Sequence, residues 1–131
     1  MTQEEKQLLL QDICSRLPYG VITKNCRNNF DVPAHLLSDV IGIKLLIDEY
    51  DLKPYLRPMS SMTEEEKEIY KSFCDEDIRQ LTYVQEVHPS LKQKTSCHRS
   101  IDWLNAHHFD YRGLIPMGLA LEAPEDMYKN I

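Results

Sequence analysis

The stretch SIDWLNAHHFDYRGLI, residues 100–115, holds the side chains best suited to chemistry. His107 and His108 are adjacent, and Asp110 follows them closely. Imidazole and carboxylate groups transfer protons and bind transition metals, so one interpretation is a small metal-dependent or acid–base enzyme built on these three residues. Such a site also needs a distant ligand or base, for which the sequence offers His35, His88, His98 or a cysteine.

Helix geometry favours a structural role for the same residues. Neighbouring residues on an α-helix point about 100° apart, whereas a helical zinc motif spaces its histidines four residues apart. We therefore expect one histidine to pack against the core with its polar tip satisfied, and the other to face water at the helix end. Asp110 is expected to cap a short turn over YRGLI, with Arg112 pairing with it or with another acidic group. The preferred prediction contains no catalytic residue, metal ligand or cofactor.

Other catalytic patterns are weak. The four cysteines (Cys14, Cys26, Cys74 and Cys97) are widely spaced and form no CxxC pair, so reduced thiols are expected. Cys97 and His98 are the only cysteine and histidine that adjoin, and sequence neighbours rarely have the geometry of a nucleophile and its base. The four glycines are isolated, which excludes a glycine-rich phosphate loop of the usual kind.

The composition is that of a globular chain with an acidic surface. The 131 residues are 42% hydrophobic and 27% charged, and the formal net charge is -6. Such a surface repels phosphate backbones, so no nucleic-acid partner is expected, and the densest basic stretch, Lys92 to Arg99, is short and interrupted. The sequence has neither an evident signal peptide nor a run of about 20 apolar residues, which predicts a cytoplasmic protein without a membrane partner.

The periodicity predicts one α+β domain over residues 1–131, with about three helices packed on a small, mostly antiparallel sheet. Capping boxes at Thr2–Glu5 and Thr63–Glu66 predict helices over about residues 3–16 and from residue 63. Ser100 is expected to cap a third helix over about 100–108, and the last few residues are expected to be mobile.

Four short segments are predicted as strands: 19–23, 40–47, 82–87 and 119–122. The best of them is VIGIKLLI at 40–47, because it is apolar and β-branched nearly throughout, as in a strand covered on both faces. The first helix is expected to face the sheet through Leu9, Leu10, Ile13 and Leu17.

Three phrases carry a resemblance: RLPYGV at 16–21, KPYLRPMSSMTEEEK at 53–67 and DWLNAHHFDYRGLIPMGLALEAPEDMYK at 102–129. Together they resemble a group of short uncharacterised proteins of gut Bacteroidales, often met in prophage-like or other mobile regions. The resemblance brings no established activity, but it implies strands between the first helix and KPYLRP. The residues TKNCRNNFDVPAHLLSD at 23–39 instead fit strands poorly. Within them, NNFDVPAHLLSD favours an irregular segment or a short helical turn over 33–38, because Pro33 is unsuited to a central strand.

A candidate interaction patch lies in KPYLRPM, residues 53–59, where prolines fix an extended chain. Tyrosine, arginine and methionine are common at binding surfaces. The patch residues are Tyr55, Arg57 and Met59, with Trp103, Tyr111 and Arg112 as an extension. The preferred hypothesis is therefore a small, non-catalytic cytosolic accessory or protein-interaction protein, of the kind carried by mobile elements, which binds another protein or itself. The alternative is the enzyme built on His107, His108 and Asp110.

Overall fold

The chain forms two compact units in the computed structural model, which describes residues 1–33, 37, 39–87 and 99–128. The first unit is built from both ends of the chain, Met1–Ser60 and Asn105–Ile131, and the second from Ser61–Leu104. The described residues hold four α-helices and a four-stranded, mostly antiparallel sheet. The predicted α+β class is thus confirmed, with one helix more than expected, while the expectation of a single domain stays a prediction.

The first helix, α1 (Gln3–Arg16), has the predicted boundaries and cap. The Thr2 hydroxyl accepts a hydrogen bond from the Glu5 amide at 3.1 Å, and the Glu5 carboxylate accepts one from the Thr2 amide at 3.3 Å. A 3-10 turn, Leu17–Tyr19, follows the helix. The predicted apolar face of α1 does lie in the core. Leu9 and Ile13 are fully buried, and Leu10 and Leu17 are partly buried against the same core.

A hairpin follows α1, formed by β1 (Ile22–Asn25) and β2 (Phe30–Pro33). Its turn closes through Asn29, whose amide donates to the Asn25 carbonyl at 2.7 Å and whose φ is 58°. Asparagine tolerates this left-handed conformation well. The predicted strand 19–23 overlaps β1, but the irregular interpretation is wrong for residues 30–33, which form β2. Most of the alternative helical turn over 33–38 lies outside the described residues. Pro33 fits because it ends an edge strand, where a missing N–H costs little.

Residues 40–47, predicted as the best strand, instead lie in a helix, α2 (Val40–Tyr50). The Asp39 carboxylate accepts a hydrogen bond from the Gly42 amide at 2.6 Å, which caps the helix. Ile43 and Ile47 are one turn apart and both buried, so an apolar run of this length also satisfies a helix. The helix ends at Asp51, whose φ of 51° turns the chain into the next strand.

The sheet order is β2-β1-β3-β4. β3 (Leu52–Leu56) is antiparallel to β1 and parallel to the short β4 (Leu121–Glu122). The extended chain expected at 53–59 is therefore a strand up to Leu56, and the strand expected at 119–122 is confirmed for Leu121 and Glu122. The core of this unit joins α1, α2, the strands and the 114–120 segment through Leu9, Ile13, Val32, Leu37, Ile43, Ile47, Leu52, Leu56, Leu114, Leu119 and Ala120.

The second unit contains α3 (Glu64–Val87) and most of α4 (Arg99–Ala106). The predicted capping box is confirmed, since the Thr63 hydroxyl accepts from the Glu66 amide at 3.2 Å. The strand predicted at 82–87 is wrong, because α3 continues through it. No glycine or proline interrupts residues 64–87, and extending an established helix costs much less than starting one.

Ser100 was predicted to cap α4, but the cap comes from Asp77 of α3 instead. The Asp77 carboxylate accepts hydrogen bonds from the amides of Arg99 and Ser100 at 3.2 and 3.0 Å. It also accepts the Ser100 hydroxyl at 2.6 Å. A carboxylate at a helix N-terminus satisfies free N–H groups and interacts favourably with the helix dipole.

Among the described residues, no helix combines the length and the apolar character that crossing a bilayer requires. Within the same part of the chain Cys14, Cys26 and Cys74 are free thiols. Cys97 and the last three residues, on which other expectations rest, lie outside the described ranges.

Replacing Asp77 by alanine should weaken the start of α4. The loss of a helix cap typically costs about 1–2 kcal/mol, so we expect the amides of Arg99 and Ser100 to exchange with deuterium several-fold faster. Asp75→Ala, an exposed position on the same helix, is the matched control and should leave both amides unchanged. Equal exchange in the two variants would show that Asp77 does not act as the cap.

Candidate functional site

His108 is placed by a sharp reversal at the end of α4. Its φ is 60°, and its amide donates to the Asn105 carbonyl at 3.1 Å. The chain then runs beside Arg57, whose amide donates to the His108 carbonyl at 2.7 Å and whose carbonyl accepts from the Asp110 amide at 2.8 Å. These two bonds extend the sheet edge by one parallel bridge, and they turn the side chains of His108 and Phe109 into the core, where both are fully buried.

The imidazole of His108 is held in a dry, positively charged environment. Its ring stacks on that of Tyr128, with centroids 4.0 Å apart. Burial first, and then the Arg16 charge, lowers the pKa of His108 to about 4, although the backbone of Tyr19 lies close enough to offset part of that decrease. Among the described residues, neither ring nitrogen makes a well-formed hydrogen bond, so the expected satisfied polar tip has only the nearby Tyr19 backbone as a partner. The ring is neutral at physiological pH.

Tyr128 connects this stack to the sheet. Its hydroxyl accepts a hydrogen bond from the Ile22 amide at 2.9 Å and donates to the Tyr55 carbonyl at 2.8 Å. Burial raises the pKa of Tyr128 to about 12, so the hydroxyl keeps its proton. The His108–Tyr128 pair thus fills the space beside β1 and β3 and satisfies backbone groups there.

Asp110 binds the backbone of the turn that follows it. Its two carboxylate oxygens accept hydrogen bonds from the amides of Leu114 and Ile115, at 2.8 and 2.9 Å. The predicted role of Asp110 as the cap of a short turn is therefore confirmed, and no helix begins at residue 110. Both oxygens are occupied, and the side chain is buried.

A buried ion pair lies within α1, next to this turn. Arg16 Nε and Nη2 donate to the two carboxylate oxygens of Asp12 at 3.0 and 3.1 Å, and both residues are fully buried. Arg16 Nη2 also donates to the Phe109 carbonyl at 2.6 Å. Arg112 Nη1 reaches the same Asp12 carboxylate at 2.5 Å. One carboxylate therefore pairs with two guanidinium groups from distant parts of the chain, which leaves a net positive charge on the triad.

Aromatic rings complete the arrangement. The Arg112 and Arg16 guanidinium groups lie 4.6 and 5.4 Å from the Tyr111 ring centroid, within cation–π range. The Tyr111 hydroxyl donates to the Asn105 side chain at 2.9 Å. We call the set the buried polar cluster; its members are the buried Asp12, Arg16, His108 and Asp110 together with the half-buried Tyr111 and Arg112.

The contacts of the cluster suit it to holding the chain ends together. His108 has no exposed surface on which a substrate could accept or give a proton, and the Asp110 oxygens face backbone amides. His107 is half-buried. Within the described ranges no three histidine, cysteine or acidic side chains lie close enough to hold a metal ion. Of the distant residues that the enzyme interpretation could use, His35, His88, Cys97 and His98 lie outside those ranges, whereas Cys14, Cys26 and Cys74 are described.

The residues of the predicted interaction patch have separate contacts within each of the two units. Tyr111 and Arg112 belong to the buried polar cluster, and Arg57 lies over the Phe109 ring at 4.2 Å. The Tyr55 hydroxyl donates to Asp31 at 2.8 Å. Trp103 is in the second unit, stacked on Tyr70 with centroids 5.9 Å apart. Met59, at 37% exposed, is the patch residue with the most open side chain.

The sequence interpretation missed the role of Asp12 and Arg16, although a signal was present. Residues 9, 12, 13 and 16 share one face of α1, and Leu9 and Ile13 had already marked that face as buried. An acidic and a basic residue four positions apart on an inward face must satisfy each other, because an unpaired buried charge is very costly.

Comparisons with known proteins add no assignment. No protein-family model, curated protein or solved structure matches this chain. Function must therefore be argued from the geometry of the described residues.

The buried histidine should make stability depend on pH. Between about pH 4 and 6.5 the unfolded chain binds a proton that the folded chain excludes. Above pH 6.5, His108 should not change the free energy of unfolding. As the pH falls below 6.5, it should lower that free energy progressively, by up to about 3 kcal/mol near pH 4. Urea unfolding at several pH values measures this loss.

His108→Asn provides the contrast, because asparagine accepts the same positive φ and does not titrate. The variant should lose most of the pH dependence in this window, whereas His107→Asn should keep it. An unchanged slope in His108→Asn would contradict the assignment.

Removing the shared carboxylate should be severe. Asp12→Ala leaves a fully buried arginine without a counter-charge, which typically costs about 3–5 kcal/mol of unfolding free energy. Replacing both fully buried partners, Asp12→Leu with Arg16→Met, leaves only the partly exposed Arg112 without its carboxylate and should recover at least half of that loss in urea unfolding. A double variant no more stable than Asp12→Ala would show that hydrogen bonding to Phe109, rather than charge balance, dominates.

Proposed function

We propose that this chain is a small, non-catalytic protein-interaction protein. The observation that carries the proposal is the exposure of large apolar side chains on α2, where Ile41 is 81% and Leu45 is 55% exposed. Exposed apolar side chains that adjoin each other on one surface are typical of interaction sites. They lie on a regular helix anchored by Ile43 and Ile47, so the surface is formed before a partner arrives.

The chemistry of the buried polar cluster supports the same proposal. Its ionisable side chains are occupied by backbone groups, by each other or by aromatic rings. A catalytic group must reach the proton or atom on which it acts, and His108 and Asp110 are enclosed. We therefore favour a binding role over the enzyme built on His107, His108 and Asp110.

The proposal also includes the cellular setting that the sequence suggests. A cytoplasmic location fits the free thiols of Cys14, Cys26 and Cys74, because reducing compartments keep cysteines unpaired. Carriage by a mobile element of a gut Bacteroidales host rests on the resemblance of the three phrases. The segment from Tyr55 to Met59 is a second candidate surface, since Met59 is exposed.

Affinity capture with cross-linking in a Bacteroidales lysate tests the binding role. We expect the wild-type chain to retain a defined protein, including another copy of itself, and Leu45→Asp or Met59→Asp to reduce its recovery at least ten-fold. Met117→Asp, at a position 47% exposed in the 110–119 turn, serves as the control. A chain that stays monomeric and retains nothing beyond this control would refute the proposal. Stoichiometric zinc, iron or manganese in untagged protein, lost in His107→Ala, would instead favour the enzyme.

A further inference from the structure

The helix α2 carries apolar residues on two opposite faces. Ile43 and Ile47 face the core and are 0% and 4% exposed, whereas Ile41 and Leu45 face outward. A surface helix normally alternates one apolar stripe with a polar one. The outer face of α2 combines the exposed apolar side chains of Ile41 and Leu45 with charged residues, a composition suited to contact with another protein surface.

The exposed face has a definite order of side chains. Ile41, Lys44, Leu45 and Asp48 follow one another at the i, i+3, i+4, i+7 spacing that places them in one stripe. Lys44 and Asp48 are themselves four residues apart, with the basic residue nearer the N-terminus of the helix. We call these four residues the outer stripe.

We infer that the outer stripe is the contact surface for a second copy of this chain, packed antiparallel about a two-fold axis near Leu45. This inference rests on the proposed function and names its partner. Under such an axis residue i of one copy meets residue j of the other, and j meets i. Leu45 then lies against its own symmetry mate, while Lys44 of each copy reaches Asp48 of the other. A parallel pairing would place lysine beside lysine and aspartate beside aspartate.

The charges near the stripe are compatible with this arrangement. Asp48 already lies 3.0 Å from Lys6, but both side chains are about one-third exposed, and such surface pairs contribute little. The carboxylate can therefore accept a second cation. The net charge of -6 opposes association, yet charges more than about 8–10 Å apart are largely screened at physiological salt.

The proposed contact is small, which sets the expected affinity. A single helix pair buries much less than the roughly 1,600 Å² of a standard interface, so the dimer should be weak and concentration-dependent. Sedimentation velocity from about 10 µM to about 1 mM should show a reversible monomer–dimer equilibrium. Leu45→Asp should shift its midpoint to at least ten-fold higher concentration. Ile69→Asp, a 46% exposed apolar position on α3, should leave it unchanged.

A charge exchange gives the decisive test. Lys44→Glu and Asp48→Lys should each weaken self-association, because each places like charges across the axis. Mixed in equal amounts, the two variants should form a heterodimer, since both cross-axis pairs then regain opposite charges. Circular dichroism should show that each variant remains folded, as all the substituted side chains are at the surface.

Each result has a defined meaning. A wild-type chain that is monomeric at every concentration, or two charge variants that fail to associate when mixed, would overturn the inference. If another protein is then captured through Leu45, the interaction role survives with a different partner. If neither a dimer nor a captured protein is found, the proposed function fails as well.

Discussion

The Asp12 carboxylate is the constraint on which the first unit depends. It lies in the middle of α1 and binds the guanidinium groups of Arg16 and Arg112, which are 96 residues apart in the chain. Arg16 in turn holds the Phe109 carbonyl, so the first helix and the 105–115 segment must meet in one register. A buried charge tolerates little misplacement, because any loss of a partner leaves an uncompensated ion in a dry environment.

The same constraint determines the backbone conformation and the orientation of His108. The chain must leave α4 sharply to bring Phe109 to Arg16, and a positive φ at residue 108 makes that turn. The turn directs the imidazole inward, beside a fixed positive charge and against the Tyr128 ring. A residue type usually associated with catalysis is thereby held neutral and used as a flat, stackable side chain.

Local signals in the sequence predicted the elements whose ends are marked by side chains. The capping boxes at Thr2 and Thr63 located the starts of α1 and α3 because the contacts involved are only three residues apart. Residues 40–47 were misassigned because an apolar run satisfies a strand or a helix equally, and the deciding Asp39 cap was overlooked. Only the local contacts of the polar cluster could be predicted from the sequence. Asp110 binds amides four and five residues away, whereas Arg112 binds Asp12, which is a hundred residues away in the chain.

The first unit is built from two segments that are far apart in the chain, and this affects when it can fold during translation. Tyr128 bridges Ile22 and Tyr55, and the Asp12–Arg112 contact also joins the two ends. Domains tend to fold in the order in which they leave the ribosome, but this unit cannot close before translation has passed residue 128. Residues 1–60 already supply apolar partners for the α1 face, but the buried Asp12–Arg16 pair gains the Phe109 carbonyl and Arg112 only after the later segment has been made.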